Sequence, residues 1–349
     1  MIARLPPGLT VGELAPWFKC PTASKPSFAF GTVGGRYILL GFLPAEAATQ
    51  PAITQALTAH RARLDDRHLA AFLVIRDPDL IARAKDQPPG LRWFLDGDGA
   101  VTRLYGGEQG LWVLLDPAMR VMRLAPLSET ESVFAEIAAL PPVGDYAGVD
   151  LFAPVLVVPR VFEPEFCQQL IAHYEARGGS PSGVMRDVDG RTVGVLDPMK
   201  KRDDVWIEEE ELQRQVMRRI SRRLVPEIRK AYGFEATRFE RYLLACYDAD
   251  QGGYFRPHRD NDTLGTAHRR FAASINLNAE DFEGGDLRFP EFGPRTYRPP
   301  TGGAVVFCCS LLHEATPVTR GRRYAFLPFL YDEAGAQVRA ANQAALQPG

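Results

Sequence analysis

Gly253-Tyr254-Phe255-Arg256-Pro257-His258-Arg259-Asp260-Asn261 is the stretch from which the fold can be read. Its aromatics favour a strand, and on a strand residues two apart point to the same face. An imidazole nitrogen at His258 and a carboxylate oxygen at Asp260 are therefore expected to project side by side. A second histidine, His313, follows 55 residues on, at the end of the mostly apolar run Ala304 to Leu312. Ten residues further, Arg323 lies in the strand-like run Arg322-Arg323-Tyr324-Ala325-Phe326-Leu327. Its guanidinium is a planar fork able to grip a carboxylate bidentately. A His-x-Asp pair alone is common as a structural pair or surface decoration. The distal histidine and the arginine make the pattern far more specific.

Two imidazoles and one carboxylate on one face of an octahedron, with the opposite face open, form the donor set of non-haem Fe(II) oxygenases. The same residues carry a resemblance. His258-x-Asp260, His313 and Arg323 resemble the Fe(II)/2-oxoglutarate-dependent dioxygenases, in particular their prolyl 4-hydroxylase-like group. Ala245-Cys246-Tyr247, Gly253-Tyr254 and His258-Arg259-Asp260-Asn261 resemble the opening of that core. Glu283 to Phe289 resembles its glycine-bearing hairpin. His313-Glu314-Ala315-Thr316-Pro317-Val318 and Arg323-Tyr324-Ala325 resemble its closing strands. The likeness covers roughly residues 151 to 332.

The resemblance implies that His258, Asp260 and His313 hold the iron and that Arg323 and Tyr247 bind 2-oxoglutarate. Asn276 falls where the family has a second tyrosine for that carboxylate; it can donate but is shorter. O2 is the oxidant and ascorbate a stimulant. The activity implied is hydroxylation of an unactivated C–H bond with release of succinate and CO2. Asp260 argues against halogenation, because related halogenases carry Ala or Gly there. The alternative is a sensor or interaction protein that binds iron and 2-oxoglutarate without turnover. Tyr254, Arg256 and Asn261 flank the ligands and are the candidate substrate contacts. A prolyl residue in a peptide or protein, a free amino acid and another metabolite all stay open as substrates.

Bulk properties bound the rest. At 349 residues the chain exceeds the usual single domain. A formal charge of −2 argues against a nucleic-acid binder. Five cysteines with no C-x-x-C fit a reducing, cytoplasmic compartment. Prolines interrupt Met1 to Gly8 before any apolar core of a signal peptide, and no apolar run is long enough for a membrane helix.

Residues 1 to 145 read as an α/β domain with a mixed sheet. Arg36 to Leu43 and His68 to Ile75 are continuous apolar runs, as in strands covered on both faces. Gln55 to Arg63 reads as a helix, and Leu111 to Leu115 with Arg120 to Leu124 as a hairpin. Ser128 to Glu131 has the capping-box pattern for a helix ending near Leu140. Val11 to Phe18, Gly35 to Pro44 and Asp96 to Gly106 resemble the thioredoxin-like peroxiredoxins. Those enzymes carry a peroxidatic cysteine a few residues after the position of Pro44, and Ala45 to Thr54 contains none. Without a thiol there is no thiolate chemistry. A non-catalytic domain is expected, serving dimerisation, substrate recruitment or packing; a homodimer is one arrangement open to the chain.

Leu140 to Gly148, with two prolines and two glycines, reads as the boundary. Residues 150 to 335 read as a double-stranded β-helix, or jelly roll, with supporting helices. Pro164 starts one helix; Leu212, Val216, Ile220 and Leu224 mark the face of another, which Pro226 should end or kink. Gly178 to Asp189 reads as a mobile loop that covers substrate in the related hydroxylases, or as an ordinary surface loop. Residues 336 to 349 read as a frayed tail.

Overall fold

The computed structural model describes residues 8–44 and 51–343. The opening segment behind the signal-peptide expectation, most of the cysteine-free stretch after Pro44 and the end of the tail lie outside the described residues. Contacts divide the chain into two compact units. One comprises Met1–Phe152 together with Pro290–Pro294; the other comprises Ala153–Phe289 and Arg295–Gly349. The expected boundaries at 145 and 150 miss the short segment counted with the first unit, because no compositional shift marks it.

The first unit is built on a seven-stranded sheet. At its centre Tyr37–Leu43 and Leu69–Ile75 pair in parallel, with Tyr37 opposite Leu69 and Leu43 opposite Ile75. Every residue of both strands is buried. Alternation explains why: Ile38, Leu40, Phe42, Ala70, Phe72 and Val74 enter one core. Tyr37, Leu39, Leu43, Leu69, Ala71, Leu73 and Ile75 enter the other. A strand between two apolar layers has no solvent face, so the sequence shows no polar alternation. Each fully buried Leu, Ile or Phe there contributes roughly 1.5–3 kcal/mol. Leu91–Leu95 adds a third parallel strand, while Leu111–Leu115 and then Val121–Ala125 add antiparallel ones.

Local expectations shift here. The first helix is Pro51–Ala59, and Arg61–Arg63 is a separate 3-10 turn. The Ser128 capping box does not form. Leu127–Glu129 is a 3-10 turn and the helix is Thr130–Ala138. The Thr130 hydroxyl donates to Leu127 O at 2.6 Å and accepts from the Trp112 indole at 3.0 Å. Burying that indole N–H with a partner outweighs the weaker cap.

The second unit is built mainly on two sheets, one of nine strands and one of five. Its largest sheet runs Arg238–Glu240, Phe329–Tyr331, Phe271–Asn276, Arg322–Phe326, Leu243–Asp248, Asp203–Trp206, Ser180–Pro181, with Ala304–Cys308 and Leu156–Val158 branching from Phe271–Asn276. A five-stranded sheet runs Lys200–Lys201, Tyr254–His258, His313–Ala315, Leu287–Arg288, Thr296–Tyr297. Helix Pro164–Arg177 buries Phe166, Leu170 and Tyr174, and the segment from Glu210 to Tyr232 buries Leu212, Val216, Ile220, Leu224 and Ile228. They share one core with Leu244, Cys246, Phe271, Ala273, Ile275, Tyr324 and Phe326 of the large sheet. The intervening residues of the same strands, Ala245, Tyr247, Ser274, Asn276, Arg323 and Ala325, therefore project from the opposite face.

Pro226 neither ends nor sharply breaks its helix. A π-helical turn, Ile220–Leu224, leads into Val225–Tyr232, which has Pro226 in its first turn. There a missing N–H costs nothing. Gly178 to Asp189 is not a plain loop. It contributes Ser180–Pro181 to the large sheet and Val184–Val188 to a hairpin with Arg191–Val195. The tail is helical over Glu333–Ala341, capped by Asp332, which accepts from Gly335 N at 2.7 Å. Among the described residues no helix is long and apolar enough to cross a membrane.

All five thiols are unpaired, and every one except Cys308 is buried. Burial, with Asp96 and Asp98 nearby, pushes the Cys20 thiol up to about 12. A thiol so placed is a poor nucleophile. Ellman's reagent should therefore titrate at most one thiol quickly in the native protein and five after denaturation. Fast stoichiometric labelling of Cys20, located by peptide mapping, would contradict the packing described.

Candidate metal centre

His258 ends the strand Tyr254–His258 and lies opposite His313, the first residue of His313–Ala315, in an antiparallel pairing. The imidazole centroids are 4.3 Å apart. Asp260 is not on the strand, as the spacing argument assumed; it sits in the turn that follows. Its backbone N–H donates to Cys309 O at 2.9 Å, which swings the carboxylate beneath both rings. The carboxylate oxygens lie 3.6 Å from His258 Nε2 and 3.3 Å from His313 Nε2. The three donor atoms fall within 4.8 Å of one another.

The outward nitrogens decide what the inward ones can do. His258 Nδ1 lies 2.8 Å from Arg256 O, and His313 Nδ1 lies 3.0 Å from Leu311 O. A carbonyl can only accept, so each Nδ1 carries the proton and each Nε2 turns a lone pair inward. Burial, then the nearby His258, pushes His313 down to about 4. Burial alone would raise Asp260, but the histidines hold it well below the usual carboxylate range. With each Nδ1 proton held by a backbone carbonyl, two inward Nε2 atoms and one carboxylate are the donors that a divalent cation takes. The donors therefore fit the metal that the spacing suggested.

Arg269 and Glu240 support the turn that carries Asp260. Arg269 Nη1 donates to Asp260 O at 3.4 Å, and its other nitrogens reach Glu240 Oε1 at 2.6 and 3.1 Å. The Arg269 guanidinium lies 4.0 Å from the Phe329 ring centre. Glu240 also bonds His268. Glu240 was not singled out from the sequence, and Arg269 stands there as one of several arginines near the motif. They are charged residues in strand-rich surroundings, and nothing local shows that they meet.

Arg323 is 3% exposed, on the face of the large sheet turned away from the helices. Its Nε donates to Asn276 Oδ1 at 3.3 Å and Nη2 to Ser274 Oγ at 2.7 Å. Tyr247 is its register partner, with the ring centre 5.2 Å from the guanidinium carbon. Among the described residues no carboxylate pairs with this buried cation. Burial lowers its pKa. An ion taken from water without a paired counter-ion is costly; the charge of Asp286 acts on Arg323 without pairing with it. Asn276 supports the arginine. Its amide donates to Pro299 O at 3.0 Å and its oxygen holds Arg323, so it orients the arginine. Ser274, a lone hydroxyl in an apolar strand, was the overlooked signal.

The remaining candidates disperse. Tyr254 donates its hydroxyl to Pro198 O at 2.6 Å, and Arg256 is exposed and lies over the Tyr254 ring. Asn261 is half-buried in the turn after Asp260. Arg202, also not singled out, forks onto Asp204 with two bonds of 2.6 Å and reaches the Tyr247 hydroxyl at 3.4 Å.

Glu240 gives this support a measurable signature. Burial would raise its carboxyl, but the His268 hydrogen bond and the Arg269 charge outweigh it and bring it down to about 2. A depressed carboxylate stabilises the fold fully above its unfolded pKa and loses that contribution as pH falls from about 4.5 towards 2. Unfolding free energies from urea titrations at pH 5, 4 and 3 should fall by about 2 kcal/mol in all, and Glu240→Gln should flatten the slope. An unchanged slope in that variant would count against the network.

Comparison with known proteins places the site in a family. Residues 242–331 match the model of the 2OG-Fe(II) oxygenase superfamily. A PKHD-type hydroxylase of Synechococcus sp. (strain JA-2-3B'a(2-13)) is 33% identical over 89 residues, which is 24% of this chain and 39% of that protein. One from Pseudomonas fluorescens (strain Pf-5) is 40% identical over 91 residues, again 24% and 39%. The chain thus spans about two fifths of the length of the curated relatives it matches. Among solved structures, a Pseudomonas putida prolyl-4-hydroxylase covers 56% of this chain and 97% of its own at 22% identity and TM-score 0.40. A putative thiol:disulfide interchange protein DsbE from Chlorobium tepidum covers 38% and 98% at 19% identity and TM-score 0.31. With its His258–Asp260–His313 cluster inside the matched span, the region from 242 to 331 belongs to the 2OG-Fe(II) oxygenase superfamily.

Proposed function

We propose that this protein is an Fe(II)- and 2-oxoglutarate-dependent hydroxylase, most like the prolyl hydroxylases. The observation that carries the reading is the pairing of two unmet needs in one unit. One is a His–Asp–His donor cluster, His313 buried and the other two half-buried, with both Nε2 atoms turned inward. The other is a buried arginine without a carboxylate. A divalent metal satisfies the first, and a dicarboxylate such as 2-oxoglutarate satisfies the second. The hydroxylase names of the partial relatives point the same way.

Iron at this site, with 2-oxoglutarate and O2, supplies the oxidising power to hydroxylate an unactivated C–H bond while 2-oxoglutarate becomes succinate and CO2. The chain's own residues bind and orient. His258 and His313 offer Nε2, each ring fixed in tautomer and direction by its backbone carbonyl. Asp260 offers the charge, positioned by Cys309 O and Arg269. Arg323, held by Ser274 and Asn276, is the fork for the far carboxylate of 2-oxoglutarate, with Tyr247 beside it. The first unit is read as a thioredoxin-like domain without thiol chemistry. Its three parallel strands, flanked on each edge by two antiparallel ones, and its buried Cys20 support that reading.

Two outcomes test the proposal. Purified protein given Fe(II), 2-oxoglutarate and O2 should release succinate, and His258→Ala should abolish it together with metal binding. Arg323→Ala should weaken 2-oxoglutarate binding by about 2–4 kcal/mol, the worth of a buried charge-assisted contact. Metal affinity should change little. Succinate release that survives both substitutions would refute the assignment, whereas 2-oxoglutarate binding without turnover against peptides and metabolites would turn it towards a sensor.

A further inference from the structure

Lys200 is a second buried cation, and the carboxylate nearest it, Asp204 at 4.0 Å, is shared with Arg202. The Lys200 side chain is 4% exposed. It lies on the edge strand of the five-stranded sheet, opposite Phe255. Its Nζ is 5.2 Å from the centre of the Phe255 ring. That ring in turn stacks on His258, with centroids 3.5 Å apart. One aromatic ring therefore touches both the ammonium and the donor cluster.

The ammonium carries three donors, and one of them goes to Gly183 O at 2.9 Å. The nearest carboxylate oxygen, Asp204 Oδ2, is 4.0 Å away and is already gripped by Arg202 at 2.6 Å. The charges acting on Lys200 are the cations Arg202 and Arg241 and the carboxylates Asp204 and Asp260. Three cations, Lys200 included, thus face two carboxylates. Asp260 sits between two imidazoles, where a metal dication would take up its charge. Asp204, the carboxylate within 4.0 Å of Lys200, is thus shared between Lys200 and Arg202. A buried ammonium in this position either gives up its proton or meets an anion. Burial, with Arg202, indeed brings it down to about 6. A carboxylate placed beside it would restore the charged form and gain a charge-assisted hydrogen bond.

We propose that Lys200 is a substrate-binding residue and that the substrate is a carboxylic acid, whose carboxylate pairs with the Lys200 ammonium while the rest of the molecule reaches the His258–Asp260–His313 cluster. The inference rests on the hydroxylase reading and narrows its substrate class. A free acid and an acidic residue of a peptide present the same group, so the test has an arm for each.

The full-length protein is loaded with Mn(II), which supports no turnover, and with 2-oxoglutarate. The twenty free α-amino acids are titrated calorimetrically, each against its α-amide. A capped peptide with one Glu is titrated against the same peptide with Gln. At least one acid should bind about tenfold or more tighter than its amide, as expected for a desolvated charge pair. Lys200→Met should bring that acid to the level of its amide. A preference in the first arm identifies a free acid, and one in the second an acidic residue. The acid–amide comparison needs only the unsubstituted protein, so it stands even if the variant folds poorly. Equal binding of acids and amides, no binding in either arm, or a preference that survives Lys200→Met would overturn the inference. The 2-oxoglutarate affinity of both proteins separates the two levels. If the unsubstituted protein does not bind 2-oxoglutarate, the hydroxylase reading itself falls. If only Lys200→Met loses 2-oxoglutarate, Lys200 serves the cosubstrate and the substrate inference falls alone.

Discussion

Everything at the site depends on one short antiparallel pairing. Tyr254–His258 and His313–Ala315 meet in a register that puts one histidine directly opposite the other. Because strand side chains alternate, a slip of one residue would turn an imidazole to the opposite face and separate the pair. The pairing also brings the turn after His258 near Cys309, whose carbonyl takes the Asp260 N–H. Three donors from two separate stretches of chain thereby converge without strain in any one of them.

The large sheet solves a different problem with the same geometry. Its strands give one set of alternating residues to the helices as an apolar core. The other set, Tyr247, Ser274, Asn276 and Arg323, can then be polar at no cost to that core. Arg323 is affordable in a buried position because Ser274 and Asn276 satisfy part of its fork. What they leave unsatisfied is charge, and a neutral hydroxyl or amide cannot cancel charge. Lys200 repeats the pattern on the smaller sheet.

Much of this was legible in the chain. The continuous apolar runs at Tyr37–Leu43 and Leu69–Ile75 read as doubly covered strands, and they are. The histidines and Asp260 read as one donor set, and they cluster. Local capping signals carried less weight: Ser128 lost its cap because Thr130 was needed by a buried indole. Asn276 was read as a contact for an outside carboxylate. Its amide is engaged by Pro299 and its oxygen by Arg323, neither adjacent in sequence.

The order of apolar and polar residues, the spacing of His258, Asp260, His313 and Arg323, and the missing cysteine after Pro44 are properties of the chain itself. They were enough to determine the kind of chemistry available, because ligand type and strand periodicity are local. Which carbonyl fixes each histidine tautomer, which residues hold Arg323, and which cations share a carboxylate were decided only by the tertiary structure. Hydrogen bonds and charge balance depend on distances between residues far apart in sequence, such as Arg269 and Glu240 or Lys200 and Phe255. Those distances exist only once the sheets have formed.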